Sequence, residues 1–221
     1  DAPWDDSGDR AATAREFPPA DRPVAPTVST KWSTEEARDR VNEAEDVMDS
    51  ADVRPGMTVA DIGAGDGYYT VRLAQRVGAG GRVLAQDIIP EVIERLADRV
   101  ARERLDNVSL KLGAVDDPRL PAASFDRVFM VHMYHEIGEP YAFLWRLRPA
   151  LRAGGQVIVV DGDSPIADPG TPFRLLVCEF QAVGYKLVSY DDKQHAGGYL
   201  ARFVPSGKRP EPDAITVCDN P

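Results

Sequence analysis

Val59-Ala60-Asp61-Ile62-Gly63-Ala64-Gly65-Asp66-Gly67-Tyr68-Tyr69-Thr70 decides the reading of this chain. Its opening residues continue an apolar run from Met57 that reads as a buried strand, and the glycines end it. Three glycines at alternate positions let the backbone turn tightly and approach a ligand with no Cβ in the way. Leu73 and Val77 place a helix directly after the turn, so its free N–H groups face the same space. Twenty residues beyond Gly67, Asp87 closes a second apolar run that starts at Arg82. A carboxylate there can accept two hydrogen bonds from the vicinal hydroxyls of a ribose. Strand, glycine turn, helix and answering acid together predict nucleoside binding. A dinucleotide fingerprint would want glycine at position 68, where Tyr68 stands. The acids Asp61 and Asp66 suit a ligand carrying a cation rather than a pyrophosphate.

Outward from this turn, short apolar runs alternate with amphipathic stretches. Val108 to Leu112, Phe125 to Val131 and Gln156 to Asp161 read as further strands, and Lys186 to Tyr190 and Tyr199 to Val204 as a closing pair. Helices are expected from Pro90, where Val92, Ile93, Leu96 and Val100 share a face, and through Leu144, Leu147 and Leu151 to the Gly154-Gly155 stop. Phe173, Leu176, Val177 and Phe180 stripe another. Such alternation implies βαβ units and an α/β, doubly wound, mostly parallel sheet of seven strands, ending in an antiparallel hairpin. Residues 1–32, rich in Pro, Ala and Asp, read as an irregular arm, 33–205 as the domain, and 206–221 as a polar tail. Ser33 is the expected cap of the first helix, with Glu36 three residues on.

The chain has 221 residues, enough for one full-sized domain. Hydrophobic residues make up 43% and charged residues 28%, which excludes a wholly disordered or fibrous protein. No apolar run approaches the roughly 18 residues of a membrane-spanning helix. Asp and Glu number 36 against 26 Lys and Arg, a formal charge of -10 that repels phosphate backbones and disfavours a nucleic-acid partner. Two cysteines make neither a disulfide scaffold nor a metal cluster; Cys178 is expected as a buried thiol and Cys218 as a tail thiol, with no bridge.

The loop resembles the first motif of the class I methyltransferases that use S-adenosylmethionine, and Asp87 matches that family's ribose-binding acid. Leu112-Gly113-Ala114-Val115-Asp116-Asp117, Ser124-Phe125-Asp126-Arg127-Val128 and Leu151-Arg152-Ala153-Gly154-Gly155-Gln156-Val157 follow in that family's order and spacing. The likeness runs from about Met57 to Asp161, more loosely to Val204, and is similar to bacterial small-molecule methyltransferases with a Gly-Tyr-Tyr/Phe-Thr first motif. The resemblance implies a Rossmann-like methyltransferase fold with S-adenosylmethionine held by Asp61, Gly63, Ala64, Gly65, Gly67, Tyr68, Asp87, Ile88, Val115, Asp116, Val131 and His132. Ala114 stands where many relatives carry an acid, so Asp116 is expected to meet the adenine amino group. The cytoplasm, where that cofactor is made, is the default compartment, with export after signal-peptide removal left open.

Methyl transfer from a sulfonium is an in-line displacement that needs mainly positioning, and a base only where the acceptor must lose a proton. Val131-His132-Met133-Tyr134-His135-Glu136 lies where acceptor and sulfonium should meet and holds two of the three histidines. His135 is the first candidate base, Asp161 the second and His132 a weaker one, while Tyr134 and His195 are candidate walls of the acceptor pocket. A metal is not expected, because residues three apart in an extended segment point to opposite faces. Trp32 is a candidate lid. A non-catalytic cofactor binder is the alternative. A short-chain oxidoreductase would need a Tyr-x-x-x-Lys pair, but Tyr141 is followed four residues later by Trp145 and Tyr185 by Ser189.

Overall fold

Alternate residues of the central strands feed two different cores. Ala60, Ile62, Val128, Met130, Val157 and Val159 pack on one side of the sheet with Leu144, Leu176 and Phe180. Their neighbours Val59, Phe129, Ile158 and Val160 pack on the other with Val47, Leu73 and Val77. Side chains one apart on a strand point to opposite faces, so strands apolar throughout need helices on both sides. The computed structural model describes residues 9–26, 34–166 and 168–220. Trp32 and Ser33 lie outside the described residues. Thr34 caps the first helix instead, its Oγ1 accepting from the Ala37 N–H at 3.2 Å.

Helices α1 (Glu35–Arg40) and α2 (Glu43–Ser50) precede β1 (Thr58–Ile62), α3 (Tyr68–Val77), β2 (Arg82–Asp87) and α4 (Pro90–Arg102). Then come β3 (Val108–Leu112), β4 (Phe125–Val131), α5 (Pro140–Leu147), β5 (Leu151–Asp161), α6 (Phe173–Ala182), β6 (Tyr185–Lys193) and β7 (Gly198–Pro205). The seven-stranded sheet has the order β3-β2-β1-β4-β5-β7-β6. It is parallel except that β7 runs antiparallel to both β5 and β6. The doubly wound α/β expectation and its closing hairpin hold. The chain reverses its winding between β1 and β4, and a ligand crevice opens beyond the carboxyl ends of such a pair. One boundary differs: the helix through Leu144 stops at Leu147, because Pro149 sits in a tight turn and Leu151 already pairs with Phe125.

The described part of the arm is pinned by burial and charge. Phe17 is fully buried in the core beside α5, and Arg10 pairs with Glu139 at 2.7 Å. Arg22 and Glu179, both nearly inaccessible, pair at 2.7 Å. The tail folds back as well, with Trp145 Nε1 donating to the Pro210 carbonyl at 2.8 Å.

That return overturns the expectation of two free thiols: Cys178, on α6, and Cys218 form a disulfide, their Cα atoms 6.1 Å apart. Cys218 is also held to α5, its N–H donating to the Tyr141 hydroxyl at 2.8 Å. A bridge across 40 residues removes loop entropy from the unfolded chain, so reduction is expected to lower stability by about 2–4 kcal/mol. Urea unfolding with and without reductant measures this, and coincident midpoints would count against it.

Candidate functional site

A cavity of about 720 Å³ opens at the carboxyl ends of β1, β2 and β4. The glycine turn forms one wall. Gly63, Gly65 and Gly67 all take positive φ, at 66°, 56° and 91°. The backbone therefore bends in a region side chains rarely enter. A Cβ on Gly63 would meet Met133 Cγ at 3.0 Å, so the turn sits hard against the segment that follows β4. The next strand fastens it: Ala64 N–H donates to the Gln86 carbonyl at 2.9 Å and Gly65 N–H to Asp87 Oδ2 at 3.2 Å. Asp87 also accepts from the Ile89 N–H at 3.1 Å.

Asp61, the penultimate residue of β1, lines the cavity and is almost inaccessible. Burial pushes its pKa up to about 7, against a hydrogen bond from Thr70 and with the Asp87 charge adding to the rise. Thr70 Oγ1 donates to Asp61 Oδ2 at 2.7 Å. The Tyr68 ring lies between two guanidiniums, Arg38 and Arg72, each 3.8 Å from its centroid. Its hydroxyl donates to Asp39 at 2.8 Å. Tyr69 donates to Glu43 at 2.6 Å, and Glu43 also pairs with Arg38.

The structure brings Asp61, Gly63, Ala64, Gly65, Tyr68, Asp87, Ile88, Val115, Val131 and His132 to this cavity. Others go elsewhere. Gly67 turns into the helix packing, where a Cβ would lie 2.9 Å from Leu96 Cδ2. Asp116 is drawn under the arm, accepting from Thr13 at 2.5 Å and pairing with Arg146 at 2.8 Å, and it does not line the cavity. Tyr134 is core rather than pocket wall: it is fully buried and donates to Glu179 at 2.6 Å.

The two candidate bases face each other instead of the cavity. His135 Nδ1 lies 3.0 Å from both Asp161 oxygens. Asp161, fully buried, also accepts from Gly162 N–H at 2.9 Å and Thr171 at 2.7 Å. Burial disfavours a charged His135, but the Asp161 hydrogen bond and charge outweigh it and raise the imidazole pKa. This pair braces the end of β5, and neither side chain lines the cavity. His195 pairs with Asp46 at 2.9 Å, away from the cavity. Among the described residues, no group of three His, Cys, Asp or Glu side chains could hold a metal ion.

Sequence reasoning missed the wall that α1 supplies. Glu35, Arg38 and Asp39 line the cavity, yet acids and bases spaced along a short helix read as solvated surface. Only the neighbouring Tyr68-Tyr69 pair, needing partners for buried hydroxyls, could have drawn attention to them.

A methyltransferase domain family matches residues 59–155. The protein-L-isoaspartate O-methyltransferase of Methanothrix thermoacetophila is 33% identical over 116 residues, 52% of this chain and 52% of that protein. The ubiquinone/menaquinone biosynthesis C-methyltransferase of Bordetella avium is 29% identical over 174 residues, 76% of this chain and 63% of that protein. The chain thus spans about half to two thirds the length of these two relatives. Among solved structures, a SAM-dependent methyltransferase from Aquifex aeolicus superposes with a TM-score of 0.66 at 21% identity, covering 77% of this chain and 97% of that one. That likeness carries the fold, while the matched domain spans the glycine turn, Asp87 and the strands beside them. Residues 59–155 thus match a methyltransferase domain, on a fold shared with a solved SAM-dependent methyltransferase.

Proposed function

We propose that this protein moves the methyl group of S-adenosylmethionine to a small-molecule acceptor by in-line displacement. The observation that carries the reading is an open cavity of about 720 Å³ walled by the glycine turn, Asp61 and Asp87. Its size falls in the range of small-molecule sites. The turn and Asp61 hold the amino-acid end of the cofactor, Asp87 the ribose, and Ile88 and Val115 the adenine faces. Bound there, the cofactor supplies an electrophilic methyl and a neutral thioether leaving group, and the chain orients the acceptor and excludes water. A net charge of -10 favours a small acceptor over nucleic acid. Among the described residues no helix is long and apolar enough to cross a membrane.

Calorimetry with S-adenosylmethionine, S-adenosylhomocysteine and NAD in parallel tests the reading. Binding of the first two is expected, and tight NAD binding with silence toward both would overturn it. The pH dependence is a sharper check. Asp61 has its folded pKa raised to about 7, so its neutral form favours the folded, empty protein. That contribution is present at acid pH and is lost as pH rises through about 7. A cationic ligand reverses the preference and expels the proton. Affinity for S-adenosylmethionine is therefore expected to fall about fivefold from pH 7 to pH 6, with proton release in buffers of different ionisation enthalpy. Asp61→Asn should flatten this slope, and a slope retained in the variant would assign it to another group.

A further inference from the structure

We propose that the N-terminal arm completes the cofactor site: Thr13 and Arg146 hold Asp116 so that its neighbour Val115 is set against the adenine face. This role rests on the methyltransferase reading above. The turn that carries Val115 has little support of its own. It follows β3, which lies at the edge of the sheet, so no further strand flanks it. Gly113 N–H donates to the Asp87 carbonyl at 3.0 Å, the last rung beside β2. Ala114 and Asp117 then face each other, the Ala114 N–H donating to the Asp117 carbonyl at 2.8 Å. Val115 and Asp116 are thus the corner residues of a tight hairpin turn.

The two corners point opposite ways. Val115 is half exposed and lines the cavity, whereas Asp116 is 2% exposed and turns to the arm. Its Oδ2 accepts from the Thr13 hydroxyl at 2.5 Å and from Arg146 Nη1 at 2.8 Å. Its carbonyl also accepts from Nη1, at 3.1 Å. Arg146 Nη2 donates to the Thr13 carbonyl at 2.6 Å, so one guanidinium holds both the turn and the arm.

Thr13 is itself fixed from either side. Arg10 donates to the Ala14 carbonyl at 3.1 Å while pairing with Glu139, the residue before α5. Phe17 packs edge-on against Trp145 of α5, with ring centroids 5.4 Å apart. A buried carboxylate that accepts from a hydroxyl and a guanidinium is held in one orientation, and its backbone fixes that of the next residue. Loss of either donor frees the corner and Val115 with it. The acid that sequence spacing offers to the adenine amino group therefore serves the ring from behind, as a positioning residue. Coupling of this kind is reciprocal: an adenosyl ligand pressed on Val115 favours the docked arm as much as the arm favours the ligand.

The test titrates the whole chain with S-adenosylhomocysteine and with S-inosylhomocysteine, which carries a carbonyl in place of the adenine amino group. Thr13→Val keeps the shape of an exposed residue outside the cavity and removes only the hydroxyl. It is expected to raise Kd about threefold, and Asp116→Ala about tenfold, within the range by which residues remote from a ligand alter its binding. The double variant should bind no worse than Asp116→Ala, since both changes cut the same link. Each factor should be the same for the two ligands. A loss confined to S-adenosylhomocysteine would make Asp116 a direct adenine contact and overturn the proposal. Unchanged affinity in both variants, or losses that simply add, would overturn it too.

Hydrogen exchange supplies a readout that a merely structural brace would not move. Bound S-adenosylhomocysteine should slow exchange of the Ala14 and Phe17 amides, which close the turns of the arm, in the parent and not in Asp116→Ala. Arm amides indifferent to the ligand in the parent would refute the link, and this measurement decides should Asp116→Ala not fold. A parent that binds neither ligand would overturn the cofactor reading, and the proposal with it.

Discussion

Glu179→Ala is expected to cost about 3–5 kcal/mol, the penalty for leaving one charge of a buried pair without its partner. Arg22 and Glu179 have side chains 0% and 1% exposed, so water cannot compensate the stranded guanidinium. The carboxylate also accepts from Tyr134 at 2.6 Å, and a second buried donor loses its partner. Together these contacts tie the arm, the segment after β4 and α6 into one unit, with Arg22 also donating to the Ile137 carbonyl at 3.1 Å. Against a typical stability of about 5–15 kcal/mol the loss is large enough to shift the urea midpoint decisively. An apolar double replacement, Arg22→Met with Glu179→Leu, should recover much of it, because the penalty arises from the unpaired charge rather than from a missing attraction. A single variant as stable as the parent would show that the arm is not held this way.

Asp87→Ala should weaken S-adenosylmethionine binding by about 1.5–3 kcal/mol, or roughly 10- to 150-fold. Two losses add. The ribose would lose a charged acceptor, and the glycine turn would lose the carboxylate that receives the Gly65 N–H while also accepting from Ile89. Asp87→Asn keeps the shape and one acceptor oxygen, so it should fall between the parent and alanine. Titration calorimetry measures both, and an unchanged Kd for Asp87→Ala would make it a turn brace only.

The parts of this site legible in the sequence are those set by local backbone demands. Gly63 and Gly65 occupy positive φ, and a strand, a tight turn and a helix N-terminus leave their marks within a dozen residues. Asp87 was legible because β2 runs beside β1 in register, Ile62 opposite Gln86, so a fixed spacing brings its end to the turn. The misplaced residues depend on partners far along the chain. Asp116 is taken by Thr13, 103 residues away, and by Arg146; Tyr134 is taken by Glu179. Nothing near either position signals that. His135 and Asp161 each bear the right chemistry for a base, and only the approach of β5 to the segment after β4 reveals that they satisfy each other. The Cys178–Cys218 bridge was equally hidden, since spacing does not encode how a proline-punctuated tail folds back.

Helix α1 walls the cavity without burying one side chain of its own. Glu35 is clasped by Arg72 at 3.1 Å and Arg99 at 2.8 Å, and Asp39 by Arg72 at 2.6 Å. Attraction of this kind shrinks as dissolved ions accumulate: the Debye length falls from about 10 Å at 0.1 M to about 3 Å at 1 M. The apolar contacts behind β1 and α3 do not weaken in that way. Brine would therefore slacken one side of the chamber while the glycine turn keeps its shape, and a bound molecule's residence time would shorten well before the domain itself gave way.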